Sequence, residues 1–321
     1  MVNAAKNQEL PIISRLEERF GDKFLHLASL KDYTSAGVGG RSDYLVIAET
    51  AGDLIDAAQI AIATDCPYLV LGAGHGVLVS DVGFPGLTII DRAKEVSFEI
   101  GHSQMLIGSG ITNNELVNTA AEKGLGGAEF LAAVPGTLGG AVVTGAGWGG
   151  KTIHSLLREV VMFLPGQDPQ VVSVLPEQIV GQPFSSKIKV DHKFPPIILS
   201  VRLQLTQLAR EEILKRLFEV RKRRNVDGCL GHVFTSSLAD FLRKRDLKLP
   251  SGHGLSLNRK DPDLIVKAGS ILLGRGKEKI DAQATRAFIN QLKQLSLDDD
   301  EPLKERLRFV GHWVGGEEAE G

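Results

Sequence analysis

The chain has 321 residues, 43% of them hydrophobic and 24% charged, with a formal net charge of −2. That length holds two or three domains with real cores, and that composition is ordinary for a globular protein. A balance so close to neutral sets up no global field that would gather nucleic acid or an anionic membrane. Cys66 and Cys229 are the only cysteines and make neither a zinc cluster nor a disulfide framework, and the histidines lack metal-ligand spacing. Met1 to Glu9 is polar without an apolar core, and no apolar run approaches membrane-spanning length. A cytoplasmic monomer without a metal is expected.

Hydrophobic periodicity then sets out the elements. Residues 8–20 read as a short amphipathic helix carrying Leu10, Ile13, Leu16 and Phe20 at helical spacing. Tyr44–Ala48 reads as a strand, Ala51–Ala63 as a helix with Leu54, Ala58 and Ile62 on one face, and Tyr68–Leu71 as a strand running into Gly72. A β-α-β unit whose second strand ends in glycines is a place where open α/β folds bind ligands. The residues after that loop, Gly76–Val79, read as strand, which argues against a dinucleotide fold whose loop opens a helix. Leu87–Ile90, Val96–Ile100 and Met105–Ser109 are short strands, and Asn113–Lys123 is a helix with Leu116, Ala120 and Ala121 inward and Gly124 as its cap. Val160–Leu164 and Ile197–Leu203 are strong strands, and Ser173–Ile179 passes from a strand end to a helix start. Arg210–Arg224 is a charged amphipathic helix with Ile213, Leu214, Leu217 and Val220 inward. Its basic end, Arg221–Arg224, suits a solvated helix terminus better than a nucleic-acid patch. Ala239–Arg245 and Ala282–Leu295 read as helices, with strands at Leu255–Leu257 and Leu264–Val266, and the tail from Gly315 reads as disordered.

The most informative segment is Gly124-Leu-Gly-Gly-Ala-Glu-Phe-Leu-Ala-Ala-Val-Pro-Gly-Thr-Leu-Gly-Gly-Ala-Val142. Within it, Val134–Gly140 is expected to form a tight turn with successive backbone N–H groups exposed, a cradle for an anion. A glycine-rich corner between strands is the alternative reading. Three further segments accompany it: Thr34–Tyr44, with Gly37-Val-Gly-Gly40; Leu71–Gly86, with Gly72-Ala-Gly-His-Gly76; and Gly231-His-Val-Phe234.

In this order and spacing, over about Leu30 to Gly311, the chain resembles the UDP-N-acetylenolpyruvoylglucosamine reductase family. The resemblance implies an α/β (α+β) fold of the vanillyl-alcohol-oxidase/PCMH type. It places FAD-binding subdomains at 1–75 and 76–205 and a C-terminal α/β substrate domain at 206–321. It implies FAD as the hydride carrier, NADPH as reductant and a UDP-sugar-like substrate of peptidoglycan synthesis. It also implies that Gly39, Gly40, Gly72, Gly74, His75, Gly76, Pro135, Gly136, Thr137, Gly139, Gly140 and Gly147 line the cofactor. On that reading Gly136→Val and Gly139→Val abolish flavin binding by steric block.

Several polar positions depart from the family pattern. The family's acid is the Ser, or Cys, of Gly-Ser-x-Phe-Lys-Asn-Pro, and His232 stands there. The family's Tyr-Arg-x-Ser matches Pro183-Phe-Ser-Ser186, putting Phe184 at the Arg, with Lys187 and Lys189 nearby. The Glu before Val-Arg-x-x-Gly is matched by Arg306, and Glu305 takes the role only with a one-residue shift. Gly-Ser-Asn-Leu-Leu is replaced by Gly74-His-Gly-Val-Leu78, and Met-Asn-Ala-Gly by Thr144-Gly-Ala-Gly147, which removes two Asn side chains and keeps backbone donors. His232 and Glu305 are therefore the candidate catalytic residues. The expectation is the family's FAD-dependent reduction with altered chemistry; the alternatives are an inactive FAD- or nucleotide-sugar-binding paralogue and a flavoprotein with another substrate.

Overall fold

The computed structural model describes residues 11–176, 193–223, 229–232, 264–267, 270–273, 282–294 and 308–310. In chain order the elements begin with α1 (Ile12–Phe20), β1 (Phe24–Ser29), β2 (Arg41–Ala48), α2 (Ala51–Ala63), β3 (Tyr68–Leu71), β4 (Val77–Val79) and β5 (Phe84–Asp91). There follow β6 (Val96–Glu99), β7 (Gln104–Gly108), α3 (Asn113–Glu122), the short β8 (Leu125–Gly126), a 3-10 turn at Glu129–Ala133 and α4 (Leu138–Thr144). Next come the hairpin β9 (Gly147–Trp148) and β10 (Lys151–Thr152), then β11 (Leu157–Leu164), β12 (Gln170–Val174), β13 (Ile197–Gln204), β14 (Thr206–Gln207) and α5 (Arg210–Arg223). The last are β15 (Cys229–His232), β16 (Leu264–Lys267), β17 (Ser270–Leu273), α6 (Ala282–Gln294) and β18 (Arg308–Val310). The chain divides into two compact units: Met1–Ala28, Ser42–Gly72 and Pro85–Arg224 form the first; Ser29–Arg41, Ala73–Phe84 and Asn225–Gly321 form the second.

The first unit is layered. A 4-stranded sheet, ordered β1-β2-β5-β3, has β3 and β5 parallel, as the β-α-β reading requires. A 5-stranded antiparallel sheet, ordered β12-β11-β13-β7-β6, lies beside it. One core joins Leu16 and Phe20 of α1, Leu54, Ala57 and Ala58 of α2, Leu87 and Ile89 of β5, and Phe163, Ile197 and Leu199 of the second sheet. The other joins Met105, Ile107, Val160 and Val201 of that sheet to Leu116 and Val117 of α3, Phe130 and Leu131 of the 3-10 turn, Leu138 and Val142 of α4, and Ile213 and Leu217 of α5. The antiparallel sheet thus buries apolar side chains of alternating strand positions in two cores.

Helix boundaries follow local chemistry. The Thr50 side chain accepts the Asp53 N–H while the Asp53 carboxylate receives the Thr50 N–H, and Thr112 and Glu115 repeat this reciprocal cap at α3. Gly124, at φ +68, follows the C-cap of α3 as expected. On α5 the expected inward face is corrected: Ile213 and Leu217 are buried, but Leu214 is 49% exposed, a full 100° around the helix from Ile213.

In the second unit, β4 and β18 pair in parallel, and β15-β17-β16 form a 3-stranded sheet. The expected strand after Gly76 is β4, and Leu264–Val266 lies in β16. The expected helix at Ala239–Arg245, the strand at Leu255–Leu257 and the tail lie outside the described residues. Among the described residues no helix is long and apolar enough to cross a membrane.

Candidate functional site

The segment Val134–Gly139 lies against residues 109–113, and backbone hydrogen bonds tie the two together. Thr112 and Thr137 form an antiparallel bridge. The Asn113 N–H donates to the Gly136 carbonyl at 3.0 Å, and the Leu138 and Gly139 N–H groups donate to the Ile111 and Ser109 carbonyls, each at 2.9 Å. The buried Asn113 side chain adds a bond from Nδ2 to the Val134 carbonyl at 3.0 Å. This corrects the expectation of a row of open N–H groups, because the donors of Leu138 and Gly139 are engaged within the protein. After them the chain turns into α4 rather than leaving as an open loop. Leu138-Gly-Gly-Ala-Val-Val-Thr144 is a poor helix former on propensity, and the burial of Leu138, Ala141 and Val142 holds it.

The glycines of this segment have different duties. A Cβ on Gly139 would stand 3.0 Å from the Ser109 Cβ, and one on Gly72 would lie 2.8 Å from the Thr137 Cγ2, so both glycines permit close chain packing. Gly136 has φ +110, a conformation that side chains oppose. Gly140 is exposed, and its nearest neighbour for a Cβ is the Thr137 Oγ1 at 3.6 Å. Gly147 opens the β9–β10 hairpin, where a Cβ would lie 2.9 Å from the Thr152 Cα. Gly145 ends α4 in the left-handed region at φ +58, and the His154 ring fills the space beside it, with Nε2 3.2 Å from the Val142 carbonyl.

Sequence reasoning missed three polar residues beneath this loop. The Ser109 hydroxyl donates to Asp91 Oδ2 at 2.7 Å, and the Ala93 N–H donates to Asp91 Oδ1 at 3.0 Å. Burial pushes the Asp91 carboxyl up to about 6, against the opposing pull of these two hydrogen bonds. Arg92 Nη1 donates to the Gly72 carbonyl at 3.2 Å. The available signal was an Asp-Arg pair at the end of an apolar strand, together with Gly108-Ser109-Gly110, which offers a hydroxyl between two residues lacking Cβ.

In the second unit the glycine loops interlock by themselves. The Gly40 N–H donates to the Ser80 carbonyl at 2.8 Å, and a Cβ on Gly40 would lie 2.5 Å from the Gly83 nitrogen. A Cβ on Gly39, at φ +127, would stand 3.0 Å from the Val79 Cβ. Gly74, at φ +66, sits against Thr34, and its carbonyl accepts the Ser35 N–H at 3.1 Å. Gly76, at φ +72, has nothing within 4 Å of its missing Cβ, and His75 is half-buried. His232 lies in β15, opposite Ser270 of β17 in the register. Glu305, Phe184, Lys187 and Lys189 lie outside the described residues.

These residues fit a flavin dinucleotide. Such a ligand needs bare backbone at close approach, and in the first unit Gly140 offers it, with polar Thr137 beside it. A family of FAD-binding domains matches residues 42–165, which carry most of β2 through β11 and the docked loop. The fold and this segment therefore define an α/β flavoprotein of the vanillyl-alcohol-oxidase/PCMH type.

The relatives narrow the class. A UDP-N-acetylenolpyruvoylglucosamine reductase of Rubrobacter xylanophilus is 32% identical over 218 residues, 66% of this chain and 71% of that protein. The reductase of Bacillus velezensis is 29% identical over 268 residues, 80% of this chain and 87% of the relative. The crystal structure of the Thermus caldophilus reductase matches with a TM-score of 0.63 at 25% identity, covering 90% of this chain and 98% of that one. This chain belongs to the UDP-N-acetylenolpyruvoylglucosamine reductase family.

Proposed function

We propose that this chain binds FAD and reduces a UDP-sugar enolpyruvyl ether with electrons from NADPH, the family reaction carried by altered side chains. The observation that supports it most is the Val134–Gly140 loop, docked on residues 109–113 with Gly140 left open, inside the match to FAD-binding domains. On this reading Pro135, Gly136, Thr137, Gly139 and Gly140 hold the dinucleotide through backbone surface. Gly39, Gly40, Gly72, Gly74, His75, Gly76 and Gly147 complete its surroundings. When bound, FAD supplies hydride transfer. The chain's own task is then to bind the substrate, exclude water and deliver one proton.

His232 is the residue proposed for the proton, because an imidazolium titrates near neutral pH. Phe184 brings no positive charge to the developing enolate, so Lys187 or Lys189 would carry it as a point charge without the fork of an Arg. Glu305 is the remaining carboxylate candidate. The division at residues 75 and 205, with the third part closing on substrate, belongs to the same reading, as do a cytoplasmic location and a monomeric state.

A second reading keeps the ligands and drops the turnover. What favours it is the resemblance's matching of 184, 232 and 306, on which Phe, His and Arg stand where the family has its Arg, acid and Glu. Anaerobic addition of NADPH to the FAD-loaded protein, then of substrate, separates the two. Bleached flavin bands that return with substrate support the reductase; bands that NADPH leaves unchanged support the binder. His232→Ala is expected to lower turnover by about 10²–10⁴-fold, the usual worth of a positioned general acid. Unchanged turnover makes His232 a bystander.

A further inference from the structure

Asp91 sits at the C-terminal end of β5, 4% exposed, and is not among the residues that the sequence assigned to the cofactor. Its carboxylate nevertheless reaches the loop in two bonds. Oδ2 accepts the Ser109 hydroxyl at 2.7 Å, and the Ser109 carbonyl accepts the Gly139 N–H at 2.9 Å. Ser109 is fixed on its other side as well, its N–H donating to the Leu199 carbonyl at 3.1 Å. Gly110 is required here, since any side chain on it would overlap Asp91 Oδ1, and its N–H donates to the Ala93 carbonyl at 2.8 Å. Arg92, the next residue, holds the Gly72 carbonyl, and Gly72 lies against Thr137.

We propose that Asp91 is a positioning residue, which sets the Val134–Gly140 loop through Ser109 and makes the loop's closure dependent on pH. That the loop serves FAD rests on the function proposed above; the coupling itself does not. The charged groups acting on Asp91 are Arg92, which favours its ionisation, and Glu95, which opposes it. The facing segments Gly108-Ser109-Gly110 and Leu138-Gly139 bring a hydroxyl and no charge.

The sign follows from linkage. In the closed, dry arrangement burial pushes the carboxyl up to about 6, above the value of about 3.9 usual for a solvated aspartate. An opened and hydrated Asp91 returns toward that lower value. The closed arrangement therefore binds the proton more tightly, and its advantage is fullest below the lower value. It is lost as pH rises through the interval up to about 6, and no further change follows above it.

The test is hydrogen exchange of the cofactor-free protein between pH 4 and 7, corrected for intrinsic rates. The peptide covering 134–141 carries the reporting amides of Leu138 and Gly139, and β11 serves as reference. The proposal expects protection of 134–141 to fall by about tenfold or more as pH rises to about 6, with β11 steady. Asp91→Asn, a neutral isostere whose Oδ1 can still accept the Ala93 N–H and whose Nδ2 can donate to the Ser109 hydroxyl oxygen, should abolish the pH dependence and leave the loop better protected than wild type at pH 7. Ser109→Ala removes a bond that favours ionisation, so it should move the midpoint upward. A flat profile in wild type, an unchanged profile in Asp91→Asn, or an equal fall in β11 overturns the proposal. Adding FAD to the same samples tests the cofactor reading separately: loss of exchange at 134–141 supports it, and no change overturns it while the pH profile stands.

Discussion

Two glycine-rich regions, one in each unit, solve the same packing problem and leave different surfaces open. In the second unit, Gly40 and Gly83 let residues 40–41 and 81–83 cross at backbone distance, and Gly74 lets its loop rest on Thr34. In the first unit, Gly72 and Gly139 do the same for Thr137 and Ser109. Among the glycines assigned to the cofactor, Gly76 in one unit and Gly140 in the other keep open space or ordinary contact distance around a missing Cβ. A glycine-rich stretch therefore encodes chain crossing first and ligand space second, and the two duties separate only when neighbours are known.

Substitutions sharpen this contrast. Gly83→Ala should have the largest effect, because Gly83 has φ +102 and a Cβ there would lie 2.7 Å from the Arg41 nitrogen. Backbone cannot yield as a flexible side chain does, so a loss of about 3 kcal/mol or more is expected, read as a lowered unfolding midpoint. Gly76→Ala meets open space and carries only the strain of its φ +72, about 1–2 kcal/mol. Gly140→Ala should be the mildest, and stabilising by roughly 0.5–1 kcal/mol, since it replaces an exposed helical glycine at ordinary contact distance. If the three midpoints do not fall in this order, the division between crossing and open glycines is wrong.

Much of the fold was legible. α2 and α3 announced themselves through Thr50-x-x-Asp53 and Thr112-x-x-Glu115 and through apolar residues at helical spacing, which local chemistry alone specifies. α4 was not legible, because its sequence argues against helix and only tertiary burial overrides that preference. Leu214 was misplaced because charged residues all around α5 leave its face ambiguous, and Phe218, 65% exposed, shows the same outward stripe. At the candidate site, the turn at Gly136 was readable from Pro135-Gly136, but the docking of Leu138 and Gly139 on residues 109–111 was not. Those partners are distant in sequence and use backbone atoms, which leave no mark on residue identity.

This also changes which variant tests the cofactor. Gly136→Val and Gly139→Val, the natural choices from sequence, would disturb a left-handed turn and a 3.0 Å contact with Ser109, so lost flavin would not separate packing from binding. Gly140→Val adds bulk only at the open position. The most direct measurement is an FAD titration of wild type and Gly140→Val, followed by flavin absorbance and checked by equal unfolding midpoints. Wild type is expected to bind FAD, and Gly140→Val, equally stable, is expected not to. Equal binding by the two proteins, or none by wild type, would contradict the claim that this loop holds the cofactor.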